Sequence, residues 1–400
     1  MKRKVYNSFP PKFFMEDGDF INPELFRQVI KKKKLSGPNG WLLFVACNQG
    51  LELARKVKRE YETLLKKNGS ELKEIPLIND SVKKVSLEGK ITRVFEDTET
   101  SPRLPEHVAG SNAFVFQSVH ELQSGNTVNE NFMQLLQVVR SLREHSSKTI
   151  TAVVPYSPSS RQEKPTAYQR ESILARLNAD LLIEAGISGV LYYHLHADSI
   201  RGFYKAGIKF TSLNGLDLFI DTMDKRFHGR EDVICVSTDS GAAKSTVQFA
   251  DALGVEYAIG NKLRPKQEKT DLIGIIGNLK GKKIAVIGDD ESVTVSSLMN
   301  IVKWLYDGYT TKEGEHISIK ETYILISHNK IRPEHLHKLI KAHEIYGLRE
   351  FHVTDTIPQT DEVLSLPFIR VHSLAERFAR TINRLHYNQS VSKLFYQPKE

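Results

Sequence analysis

Cysteine is scarce in this 400-residue chain: there are two, Cys47 and Cys235. That count excludes a disulfide-built scaffold and a metal site made from cysteine thiolates. Both cysteines lie in apolar runs, WLLFVACN and VICVSTD, and are expected as buried thiols of a reducing compartment, which points to the cytoplasm. Long hydrophobic runs are missing too. None approaches the roughly 20 residues of a membrane span, so no membrane partner is expected. The opening MKRKVYNSFPPKFF has basic residues with no apolar stretch behind them, which argues against a secretory signal. Charge of one sign is not concentrated. Lys and Arg number 56 against 48 Asp and Glu, a net charge of +8, and only KKKK at 31–34 runs together. No basic stripe alternates with aromatics, so no nucleic-acid partner is expected. An anionic small substrate accounts for the positive balance equally well.

What is present is ordinary for a soluble globular protein: 40% hydrophobic and 26% charged residues. Four hundred residues exceed one small core, and two domains are expected. The first forty residues, closing with SGPNG at 36–40, read as an extension. Apolar strand-like runs then alternate with amphipathic helical patterns. Strands are expected at 41–47, 113–119, 149–156 and 189–196, with helices at 51–67, 129–145 and 170–186, the last stopped by a glycine. A second series has strands at 232–239, 255–261, 282–289, 321–328 and 348–356. Its helices are at 243–253, 292–308 and 333–343. Near-continuous apolar strands alternating with helices predict α/β architecture with a mainly parallel sheet, covered on both faces, in each domain.

Open parallel sheets bind ligands beyond the C-terminal ends of their strands. Five polar clusters fall there: FEDTET at 95–100, PYSPSSRQEK at 155–164, YHLHADS at 193–199, STDSGAAKS at 237–245, and the acid pair and hydroxyls of GDDESVTVSS at 288–297. Taken singly, each has a plain alternative: a polar turn, a salt-bridging arginine, a hydrogen-bonded histidine, or an aspartate capping a helix. Together they support one chemistry. Magnesium takes carboxylate oxygens and rides with substrate phosphates, which suits Asp239 with His196 nearby. The planar fork of Arg161 suits phosphate. The turn after Asp289 and Asp290 leads to a helix N-terminus that favours an anion, with Thr294, Ser296 and Ser297 as hydroxyl donors. NKLRPKQEKTD at 261–271 is basic and without apolar periodicity. It reads either as a solvated connector or as a mobile lid carrying Lys262 and Arg264.

In order along the chain, these segments resemble the ribose-phosphate diphosphokinase (phosphoribosyl pyrophosphate synthetase) family. FEDTET is similar to its nucleotide-binding flag. PYSPSSRQEK is similar to its R-Q segment, and HLHADSIRGFY to D-L-H-x-x-x-I-x-G-F-F, with His194 where aspartate is usual. VSTDSGAAK, NKLRPK, VTDTIPQ and LHYNQSVSKLF resemble further family segments, so the likeness runs from about Trp41 to Phe395. The resemblance implies two phosphoribosyltransferase-type domains: 41–212, rejoined by a C-terminal helix at 376–400, and 213–375. It implies transfer of the β,γ-diphosphoryl group of magnesium ATP to the anomeric hydroxyl of ribose 5-phosphate. By position, Phe95, Asp97, Glu99, Arg161 and Gln162 would bind ATP. His196 and Asp239 would form the magnesium neighbourhood, and Lys262 and Arg264 would act on the moving group. Asp289, Asp290, Thr294, Ser296 and Ser297 would bind ribose 5-phosphate. A homo-oligomer is implied as well.

The sugar loop departs from the family pattern D-D-x-x-D-T-x-G-T. Val293 stands for a third aspartate, and Ser296 stands where glycine lets backbone approach the phosphate. The alternative reading is therefore an inactive paralogue that binds nucleotide and regulates an active partner.

Overall fold

The computed structural model describes residues 34–71, 74–79, 91–215, 217–266 and 269–392, and the side chains of 262–266 and 269–273 stand outside that description. Two mainly parallel sheets, each flanked by helices, make up the fold.

The first sheet has seven strands: β1 (Ser36–Gly37), β2 (Gly40–Ala46), β3 (Leu77–Ile78), β6 (Ser111–Phe116), β7 (Thr149–Val153), β8 (Gly189–Tyr193) and β9 (Lys209–Leu213). Between its third and fourth members stands a separate antiparallel pair, β4 (Thr92–Val94) and β5 (Thr100–Pro102). The spatial order is β1-β2-β6-β7-β8-β9, with β3 also on β2. Only the β1–β2 pairing is antiparallel. Every residue of β6 and β8 is buried, as expected for strands covered on both faces.

Helix α1 (Leu51–Lys67) turns Leu53, Ala54, Val57 and Tyr61 inward. Helix α2 (Val128–Glu144) opens on a capping box, in which Thr127 and Glu130 satisfy each other's backbone N–H. Helix α3 (Leu174–Ala185) ends where Gly186 adopts a φ of 117°, the left-handed stop read from the sequence. It begins later than the predicted 170, because residues 163–172 form turns and loop after the double-proline segment.

After helix α4 (Asp217–Phe227), the second sheet uses β10 (Val233–Ser237), β11 (Glu256–Lys266), β12 (Lys269–Ile276), β13 (Ile284–Ser292), β16 (Glu321–Asn329), β17 (Leu348–Thr354) and β18 (Ile369–His372). A two-stranded pair, β14 (Tyr309–Thr310) with β15 (His316–Ile317), lies beside it. The spatial order is β12-β11-β10-β13-β16-β17-β18. Helices α5 (Ala243–Leu253), α6 (Ser296–Asp307), α7 (Leu336–Ile345) and the short α8 (Asp361–Leu364) connect the strands. The order reverses between β10 and β13, which makes that crevice the expected ligand position.

One expectation is corrected here. The segment 261–271, expected to lie between strands, has strand within it: the backbone of β11 continues to Lys266 and pairs antiparallel with β12. Polar composition hid the strand, because an antiparallel ladder is held by backbone hydrogen bonds and does not require apolar periodicity.

The chain returns to the first sheet at its end. Helix α9 (Ala375–His386) buries Phe378, Ala379 and Ile382 in the core built from Leu42, Phe44, Val57 and Phe114. Asn383 donates to the Tyr61 hydroxyl at 2.8 Å. The predicted helix to 400 stops earlier, at His386, and residues 393–400 lie outside the described residues. Both cysteines are free and buried, as expected.

Candidate functional site

Strand β13 outruns its neighbour β10. Their pairing ends at Ser237 with Gly288, which leaves Asp289, Asp290 and Glu291 projecting at the crevice. Thr238, just past β10, bridges the gap by donating its hydroxyl to Asp289 Oδ2 at 2.8 Å. The Asp290 backbone N–H donates to Asp289 Oδ1 at 2.9 Å. Successive strand side chains leave opposite faces, so Asp290 and Glu291 diverge. Asp290 Oδ2 meets His196 Nδ1 at 2.7 Å. Glu291 meets Lys330 Nζ at 2.7 Å and Arg161 Nε at 2.6 Å.

Apart from Lys330, which follows β16 of the second sheet, these partners come from the first sheet. His194 and His196 follow β8, and Arg161 lies on the segment after β7. His194 has a φ of 43°. Its Nδ1 lies 2.5 Å from Ser327 Oγ, and its carbonyl accepts from His328 Nε2 at 2.8 Å. Gly215 makes room for that ring: a Cβ there would fall 1.8 Å from His194 Nδ1. The carboxyl ends of both sheets therefore face one cleft.

The electrostatics separate the two aspartates. The hydrogen bond that His196 donates to Asp290 raises the His196 pKa. Asp290 itself is held well below the usual carboxylate range by His196 and His194, against the opposing effect of burial. Burial, then repulsion by Asp290, pushes Asp289 well above it. The two carboxyls are thus shifted in opposite directions, and they are held differently: Asp289 accepts from Thr238 and from the Asp290 N–H, and Asp290 pairs with His196.

Beyond Ser292 the chain turns into α6. Val295 occupies the cap position with a φ of 62° and no side-chain cap. Lys338, on α7, donates to the Thr294 carbonyl at 3.1 Å and to Ser296 Oγ at 2.9 Å. Ser297 lies in the first turn of the helix.

The other predicted residues are placed as follows. Asp239 Oδ1 accepts from the N–H groups of Gly241 and Ala242, shaping the turn before α5. Phe95, Asp97 and Glu99 form the turn between β4 and β5. There Phe95 N–H donates to Glu99 O at 2.8 Å and Asp97 accepts from Glu99 N–H at 3.0 Å. Phe95 is half exposed. No hydrogen bond or ion pair joins these three to the cleft cluster among the described residues. Gln162 is exposed beside Arg161, and its carbonyl accepts from Ala175 N–H. Lys262 and Arg264 lie on the backbone of β11, and their side chains are outside the described residues.

Sequence reading passed over Lys330, Ser327 and Lys338. The run ISHNK at 326–330 also places polar residues after an apolar strand, so the rule that found five clusters would have found a sixth. Glu291, beside the acid pair, has its carboxylate engaged by Arg161 and Lys330. Among the described residues, no group of three or more His, Cys, Asp or Glu side chains is arranged to hold a metal unaided. No helix there is long and apolar enough to cross a membrane.

Two facing, mainly parallel α/β sheets with an acid pair at the switch point define a class of α/β proteins whose ligand position is expected beyond the carboxyl ends of the strands. Comparison with known proteins narrows the class. Residues 42–186 match the model of the N-terminal domain of ribose phosphate pyrophosphokinase. A ribose-phosphate pyrophosphokinase of Caldanaerobacter subterraneus is 35% identical over 301 residues, covering 75% of this chain and 88% of the relative. One from Fusobacterium nucleatum is 32% identical over 303 residues, with 75% and 88% covered. The crystal structure of phosphoribosylpyrophosphate synthetase from Mycobacterium smegmatis superposes with a TM-score of 0.68 at 28% identity, covering 86% of this chain and 98% of that one. The chain belongs to the ribose-phosphate pyrophosphokinase family.

Proposed function

We propose that the protein transfers the β,γ-diphosphoryl group of magnesium ATP to the anomeric hydroxyl of ribose 5-phosphate, yielding phosphoribosyl diphosphate and AMP. The observation that carries this reading is the Asp289–Asp290 pair at the switch point, docked on His196 and leading into the N-terminus of α6. Adjacent carboxyls suit the vicinal hydroxyls of a ribose, whose hydrogen bonds their oxygens can accept. The unpaired N–H groups at the start of α6, with Thr294, Ser296 and Ser297, suit its 5-phosphate.

Arg161 and Gln162 then face ATP, with Phe95, Asp97 and Glu99 supplied by the β4–β5 turn. His196 and Asp239 fit magnesium only as a partial donor set. His196 has Nδ1 committed to Asp290 and Nε2 left over, and the ion usually brings phosphate oxygens and water as its other ligands. When bound, it would neutralise developing charge on the phosphates. The anomeric oxygen forms its bond to the β-phosphorus as the bond to the bridging oxygen of AMP breaks, and the hydroxyl proton is released. Lys262 and Arg264, carried by β11, are proposed to meet the charge that develops there. The homo-oligomer and cytoplasmic location expected from the family are proposed for this chain as well.

One feature favours the second reading, an inactive nucleotide-binding paralogue. Val293 offers no hydrogen bond where the family places an acid, which costs roughly 1–3 kcal/mol if a sugar hydroxyl is left unpaired. Phosphorus NMR of the protein with magnesium, ATP and ribose 5-phosphate decides between them. Simultaneous growth of AMP and an anomeric diphosphate supports the transferase; nucleotide binding with neither product overturns it.

A further inference from the structure

Glu291 stands next to the proposed sugar-binding pair, but its carboxylate serves a different segment. Its side chain is 5% exposed, and that of Lys330 is 4% exposed. A carboxylate and an ammonium so thoroughly removed from water persist only as partners. Lys330 also donates to the Tyr156 hydroxyl at 3.1 Å and lies 4.5 Å above that ring. Tyr156 and Arg161 belong to the same segment after β7. One buried carboxylate thus faces two cations, and the group keeps a net positive charge.

Arg161 differs from Lys330. Its side chain is 58% exposed, so it reaches over the cleft from a buried anchor. The 2.6 Å approach of Nε to Glu291 Oε1 is a charge contact without hydrogen-bond geometry, and Oε1 accepts no hydrogen bond. The carboxylate therefore tethers the guanidinium by charge while its N–H groups remain uncommitted. No second ion-pair partner holds the Arg161 side chain among the described residues.

From this geometry we infer that Glu291, braced by Lys330, is a positioning residue for the nucleotide: it holds Arg161 over the cleft, ready to receive ATP phosphates. The inference rests on the nucleotide role proposed for Arg161. Pre-ordering a long cation lowers the ordering cost at binding. It also places the nucleotide anchor on the same strand end as Asp289 and Asp290, so the two substrate positions share one rigid element.

The test measures binding rather than turnover. Magnesium with α,β-methylene ATP, and separately ribose 5-phosphate, are titrated by calorimetry into the full chain. The double variant Glu291→Gln/Lys330→Met removes both buried charges together and frees Arg161. The nucleotide Kd is expected to weaken about tenfold, and the ribose 5-phosphate Kd to change less than twofold. In an Arg161→Ala background the same pair of changes is expected to have no further effect on nucleotide, since the residue it acts through is gone. Should the double variant not fold, Glu291→Asp keeps the charge for Lys330 while withdrawing it from Arg161, and a several-fold loss of nucleotide affinity is expected. An unchanged nucleotide Kd, full additivity with Arg161→Ala, or equal loss of both ligands overturns the inference. A wild-type chain that binds nucleotide without making product overturns the proposed activity alone. A wild-type chain that binds no nucleotide overturns both.

Discussion

Val293 and Ser296 stand where the family pattern of the sugar loop has an acid and a glycine, and Val295 fills the open position between them. Val295 is β-branched, buried and held at a φ of 62°, a conformation that costs of order 1–3 kcal/mol and persists where surrounding structure enforces it. Here the enforcement comes from its burial in the second core and from Lys338 bound to Thr294 and Ser296 on either side. Val293 is only partly buried, so an acid can be introduced there without disrupting packing. Val293→Asp is expected to tighten ribose 5-phosphate binding about tenfold, equivalent to about 1.4 kcal/mol. An unchanged Kd by calorimetry would mean that this side chain does not face the sugar. Gly215→Ala is expected to destabilise the fold by about 1–3 kcal/mol in a chemical melt, because the new Cβ would overlap the His194 ring. At this scale the sequence showed Asp289, Asp290, His196 and Arg161, since polar residues after apolar strands announce themselves. It did not show that Glu291 pairs with Lys330 and Arg161. Those partners are set by which strands lie side by side and by how the two sheets face each other.

Among the elements, helices with strong apolar periodicity were the most legible: α1 and α5 have the bounds read from the sequence. Strand ends were less so. The predicted strand 282–289 runs on through Ser292, carrying the acid pair on a rigid ladder where a loop was expected. Alternation of apolar residues could not announce that extension, because the added residues are polar and face a cleft. The β11–β12 hairpin was obscured for the same reason. Its consequence for the proposed reaction is specific: Lys262 rides on strand backbone. Lys262→Ala is expected to reduce turnover by about 10²–10³-fold, while the Kd for magnesium ATP changes little. Parallel loss of nucleotide binding, measured by calorimetry, would count against a role confined to the transition state.

For the molecule as a whole, buried histidines govern the response to acid. Burial lowers His120, His352 and His386 to about 4 and His328 to about 3. For His386 the tautomer is fixed. Asn112 Oδ1 accepts from Thr149 and Asn112 Nδ2 then donates to His386 Nδ1 at 2.9 Å, so that nitrogen carries no proton. The unfolded chain takes up these protons near the ordinary histidine value of about 6.5, before the native state does. Their contribution is therefore complete above about pH 6.5 and is lost as pH falls towards about 4, by roughly 1.4 kcal/mol per unit for each group. The thermal midpoint is expected to drop steeply across that window, and replacing His386 by Gln should flatten the slope. An unaltered slope would locate the sensitivity elsewhere. The two-sheet plan was readable from alternating patterns alone. The return of α9 to the first sheet was not, since a helix pattern does not say which core it joins. That return orders events during synthesis. Leu42 and Phe44 leave the ribosome early, yet their core lacks Phe378 and Ile382 until the chain is almost finished. The second sheet can complete itself while the first still waits. A nascent chain arrested before residue 375 is thus expected to hold a protease-resistant second unit attached to an unfinished first one.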